Sequence, residues 1–87
     1  MAWSVLVEES ISYGQNVRWG MGLIRGEYPE REQARAAALE LTGSFTPTHP
    51  WAERERTVYR ISEDSYLVNL VGATTEFHFR VNVAERL

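Results

Sequence analysis

The chain contains no cysteine, no lysine, a single aspartate, two histidines and no long apolar run. Without cysteine there can be no disulfide, no thiolate metal site and no thiol nucleophile. No stretch approaches the roughly 18 apolar residues of a membrane span, and Met1-Ala2-Trp3-Ser4 has neither the basic nor the apolar region of a leader. The expectation is therefore a cytoplasmic protein with no membrane contact. All nine cations are arginine, which together with the alanine, glutamate and valine content reads as the codon bias of a high-GC bacterial genome. Those arginines are outnumbered by twelve acids, for a net charge of −3. That sign argues against generic binding to nucleic acid, where a basic excess neutralises phosphates.

What is present suits a folded domain. Hydrophobic residues make up 44% of the 87 and charged residues 24%, which is far from the composition of disorder. A chain of this length hides only roughly 60 to 65% of its surface on folding, so residues 1–87 are expected to form one domain around one core.

Apolar residues alternate at Trp3, Val5, Val7 and again at Val17, Trp19, Met21, Leu23, the period of half-buried strands. Between them Ser10–Asn16 is rich in turn formers and predicts a longish hairpin loop. Pro29, followed by Glu30 and Glu32 and then by Ala34, Ala37, Ala38 and Leu41 at helical spacing, predicts a helix over Pro29–Thr42. Gly43 is placed as its left-handed cap. The helical stripe is mostly alanine, so Leu39, Leu41 and Phe45 are expected to supply bulk. Pro47 and Pro50 make the next segment a stiff connection. Strands follow at Thr57–Ile61, Tyr66–Val71 and Phe77–Val83, with turns around Glu63-Asp64 and Gly72–Thr75. The predicted fold is α+β: a β-β-α-β-β-β order, an antiparallel sheet, and one helix packed on one face.

Tight turns in the meander would set Leu70 opposite Phe77, Val68 opposite Phe79 and Tyr66 opposite Val81, with Thr57, Tyr59 and Ile61 joining them on the core face. The other face would then gather Arg60, Asn69, His78 and Arg80. Two guanidiniums, an amide and an imidazole could receive an anionic ligand or an acidic partner, although a solvated sheet face also carries such residues for no further reason. Gly20 and Gly22 flank Met21 and mark either a bulge or a close approach. Trp19 and Trp51 complete the set of candidate contact residues, since tryptophan is enriched at interaction hot spots.

No catalytic constellation is spelled out. His49 and His78 are not at helical metal-pair spacing, Asp64 sits where a turn explains it, and no phosphate loop is present. Phe77-His78-Phe79-Arg80 resembles an RNA-stacking strand only superficially, because Phe77 and Phe79 share the apolar face. The leading expectation is a small binding or protein-interaction module, with a homodimer as one form of it, no cofactor and no metal. The alternative is a small-molecule binder or minor enzyme with its site between helix and sheet.

Overall fold

A computed structural model describes residues 2–13, 16–46, 53–72 and 76–87 of the chain. Its elements are β1 (Ala2–Tyr13), β2 (Asn16–Tyr28), α1 (Arg31–Ser44), β3 (Glu53–Ser62), β4 (Ser65–Gly72) and β5 (Glu76–Arg86). The strands form one antiparallel sheet in the order β2-β1-β5-β4-β3, with the helix packed on one face, as the α+β reading expected. The chain's last strand is thus the middle of the sheet, and β2 and β3 are its edges. The proline-containing connection, with His49 and Trp51, lies outside the described residues.

The first hairpin is longer than expected. Instead of ending near Val7, β1 stays paired with β2 through Tyr13↔Asn16, because ladder bonds belong to the backbone and Ser10 and Ser12 do not interrupt them. A bulge interrupts the register between Val7 and Glu8. Met21 lies opposite Glu8, and Leu23 lies opposite Val7, with Gly22 as the extra residue. The continuous alternation read over Val17–Leu23 is therefore broken. Trp19 and Met21 face away from the helix, whereas Leu23 packs against the core. A Cβ at Gly22 would come within 2.8 Å of the Glu9 carboxylate, which explains the glycine.

The helix begins at Arg31, two residues after Pro29. Glu30 is its N-cap, and the Glu30 N–H donates to Gln33 Oε1 at 3.2 Å. At the other end Gly43 is helical and not a left-handed cap; the helix continues to Ser44 and stops where Phe45 turns extended, at φ −66° and ψ 131°. The last carbonyls find other donors. Phe45 N–H donates to Leu41 O at 2.9 Å and Ser44 Oγ to Glu40 O at 3.1 Å. Arg56, from β3, donates to Thr42 O at 2.9 Å and to Phe45 O at 3.0 Å. The helix has no basic residue in its own last turn, so Arg56 also supplies the positive charge that the negative end of the dipole favours.

The core joins Ala34, Ala38 and Leu41 of the helix to Val5, Val7, Tyr66, Val68, Leu70, Phe79 and Val81 of the sheet. The alanine stripe brings the helix close enough to fill the space between the layers. Phe45 adds bulk as expected, its ring centroid 4.9 Å from that of Phe79. Leu39 does not: it is 49% exposed, because it lies about 100° around the helix from Ala38 and off the buried stripe.

In the meander, Leu70↔Phe77, Val68↔Phe79 and Tyr66↔Val81 pair as expected. The first strand of the meander is shifted. Ser62 pairs with Ser65 across the Glu63-Asp64 turn, and an extra residue then sets Arg60, and not Ile61, opposite Tyr66. One inserted residue exchanges the faces of the whole strand. Thr57 and Tyr59 consequently face away from the core, opposite Asn69 and Leu67, while Arg56, Val58 and Arg60 take the helix side. Among the described residues no helix is long and apolar enough to cross a membrane.

Candidate functional site

The helix-free face of the sheet carries a polar row across its three middle strands. β1 presents Leu6, Glu8 and Ser10 there, alternating with the buried Val5 and Val7. β5 presents His78, Arg80 and Asn82 between Phe79, Val81 and Val83, and β4 adds Ser65, Leu67 and Asn69. Pairing of β1 with β5 sets Glu8 directly opposite Arg80 and Leu6 opposite Asn82.

A chain of hydrogen bonds results. Ser65 Oγ donates to Asn82 Oδ1 at 2.8 Å, Asn82 Nδ2 donates to Glu8 Oε1 at 3.2 Å, and Arg80 Nη2 donates to Glu8 Oε2 at 3.3 Å. Both oxygens of Glu8 are engaged, so this carboxylate ties β1 to β5 across the ladder. Trp19, from the edge strand β2, covers the cation, with the Arg80 guanidinium carbon 3.8 Å from its ring centroid. Where the β1–β5 ladder ends, at Glu9↔Phe79, Ser10 Oγ replaces the backbone and accepts the His78 N–H at 3.0 Å. Two atoms stay without a hydrogen-bond partner among the described residues: Arg80 Nε and Asn69 Oδ1, both buried.

Four of the six candidates from the sequence meet on this face. Asn69 and His78 are directly opposite each other, Arg80 follows on the same strand as His78, and Trp19 lies over Arg80. Arg60 does not join them. The bulge beside Ser62 turns it to the helix side, where its guanidinium lies 5.8 Å from the Tyr66 ring. Trp51 lies outside the described residues. The residues that sequence reasoning missed are Glu8, Asn82 and Ser65. Their alternation with apolar neighbours assigns them to a polar face, but only the pairing of β1 with β5 brings Glu8 to Arg80.

Around the polar row the face is apolar. Of the large hydrophobic side chains exposed among the described residues, Trp19, Met21 and Ile24 stand on the β2 side and Tyr59 on the β3 side, with Ile61 two residues further along. Near Ile24 a shallow groove of about 280 Å³ is lined by Ser4, Leu6 and Ala84.

A second charged cluster ties the helix start to the β3–β4 turn. Asp64 accepts from Arg35 Nε at 2.8 Å and from Arg31 Nε at 3.3 Å, and its second oxygen also contacts Arg31. Arg31 lies over the Trp3 ring at 5.0 Å, and Arg35 further pairs with Glu32 at 2.7 Å and Glu63 at 3.2 Å. The hydrogen bonds from Arg35, then those from Arg31, hold the Asp64 carboxyl down at about 2. At the helix's far end, the hydrogen bonds from Arg56 lower the Glu53 carboxyl in the same sense. These groups are mutually satisfied and join elements of the fold. Comparison of the chain with protein-family models, curated proteins and solved structures finds no match.

Proposed function

We propose that the chain is a small protein-interaction module that pairs with a second copy of itself through the helix-free face of the sheet. The observation that carries this reading is the layout of that face: large exposed apolar side chains toward both edges, with a polar row between them whose charges are paired internally. Among the described residues the one helix covers one side of the five-stranded sheet, and Trp19, Met21, Ile24 and Tyr59 are exposed on the other.

The layout is self-complementary. A two-fold axis running along the central strand β5 lays β2 of one copy over β3 of the other, so Trp19, Met21 and Ile24 meet the β3 side with Tyr59, and the polar rows meet in the middle. Two faces packed about 10 Å apart would form a sandwich core between the sheets. Five strands of about ten residues cover roughly 800 Å², the area that a standard interface buries on each partner. Glu8 and Arg80 neutralise each other, so the centre of the face does not repel its copy.

Sedimentation across micromolar concentrations tests this. The expected result is a reversible monomer–dimer equilibrium, shifted to monomer by Met21→Glu or Tyr59→Glu with the circular dichroism spectrum retained. A wild-type chain that stays monomeric throughout the range overturns the reading.

A further inference from the structure

The helix packs over β1 and β5 and more lightly over β2 and β4, which leaves the helix side of the edge strand β3 open. Between α1 and β3 runs a groove of about 310 Å³. Its helix wall carries Ala36 and Leu39, the latter half exposed, and its floor is Tyr66. The β3 wall carries Arg60, and Val58, 42% exposed, stands next to it on the same side of the strand. The groove's other cation, Arg35, is held by Asp64, Glu32 and Glu63, whereas Arg60 has no carboxylate partner among the described residues. A strand edge with no neighbour among the described residues, beside a helix, with apolar spots and a cation that no carboxylate there holds, is the geometry that captures an extended peptide by strand addition.

We propose that β3 takes an added strand from another protein, recognised by an apolar side chain opposite Val58 and a carboxylate two residues along, opposite Arg60. The backbone of the added strand completes the open ladder. Its alternate side chains enter the groove, the apolar one against Leu39 and the acidic one against Arg60. Charge complementarity selects this occupant over a second copy of β3. Self-pairing that keeps both faces in register sets residues of the same parity opposite each other. Arg60 then meets Arg54, Arg56, Val58, Arg60 or Ser62, none of them a carboxylate, whichever residue the pairing is centred on. An acidic strand supplies the carboxylate that a second copy of β3 lacks. The site lies on the helix side and stays open when the opposite face of the sheet is covered, so it stands independently of the pairing proposed above.

The test titrates the ¹⁵N-labelled full chain with a blocked Thr-Thr-Glu-Thr-Val-Thr-Thr peptide, whose antiparallel addition sets valine opposite Val58 and glutamate opposite Arg60, and with its counterpart carrying lysine in place of glutamate. Expected are saturable amide shifts over Thr57–Ile61 and at Ala36 and Leu39 with the acidic peptide only. Arg60→Glu should weaken that binding by roughly fivefold to tenfold and restore binding of the lysine peptide. Leu39→Ala, at an exposed helix position, weakens the acidic peptide without changing the charge rule. Absence of shifts, equal binding of the two peptides, or shifts confined to the opposite face around Trp19 and Tyr59 overturns the proposal. Sedimentation of the same samples reads the dimer separately, so either idea can fail alone.

Discussion

The Arg80 guanidinium carbon lies 3.8 Å from the centroid of the Trp19 ring, although β1 separates their two strands. The ring shields a cation that Glu8 neutralises from the side, and it turns an otherwise solvated row into a half-buried one. Arg80 and Glu8 keep about a third of their side-chain surface exposed. The pair therefore belongs between a surface salt bridge and a buried one, and the aromatic cover decides how much it contributes.

A double-mutant cycle measures that contribution. Urea unfolding of dilute protein, so that self-association adds nothing, should give a loss of about 1 kcal/mol for Arg80→Ala and for Trp19→Ala, with a coupling of about 0.5–1 kcal/mol between them. Strict additivity would mean that the stack contributes no energy.

Acid stability should depend on Asp64. Its carboxyl sits at about 2 against an ordinary 3.8, so the folded state binds the proton less readily than the unfolded chain does. The associated stability is present above about pH 4 and is lost as pH falls from there through about 2. Melting curves of wild type and Asp64→Asn should therefore lie furthest apart near neutrality and converge below pH 3. Curves that run parallel down to pH 2 would show that Arg31 and Arg35 do not hold this proton equilibrium.

Arg56 closes the helix from outside it, its fork reaching Thr42 O, Phe45 O and the Glu53 carboxylate at once. Arg56→Ala leaves two carbonyls without these donors and should cost about 1–3 kcal/mol. Arg56→Lys should recover only part of that, since an ammonium lacks the planar fork. Hydrogen exchange localises the effect: the last turn of α1 should exchange faster in the variant while Val68 and Val81 keep their protection. A uniform change over all elements would remove Arg56 from this capping role.

Particular residues show how far local pattern carried. Leu70, Val68 and Tyr66 find Phe77, Phe79 and Val81 because two neighbouring strands with unbroken alternation leave only one register that buries both apolar sets. The same logic failed on β3, where the apolar Val58 does not share a parity with Tyr59 and Ile61, and a single residue between Arg60 and Ser62 turned Tyr59 outward and Arg60 inward. Leu39 failed for a related reason: a large residue beside an alanine stripe looks like core until the helix phase is counted. Gly43 looked like a cap because its type permits one, whereas Arg56, remote in sequence, removed the need for it.

By itself the amino-acid sequence determined the number, type and order of the elements, their single core and the acidic, cysteine-free surface chemistry. These depend on the spacing of apolar residues within a few positions of each other, which hydrophobic burial reads directly. Only the tertiary structure decided which strands became neighbours, where the bulges fall and hence which side chains share a face. It put β5 in the middle, Glu8 beside Arg80, Trp19 above them and Arg60 in a groove on the opposite side. Those placements follow from backbone pairing between distant segments and from one-residue insertions in a ladder, and alternation inside a strand carries no record of either.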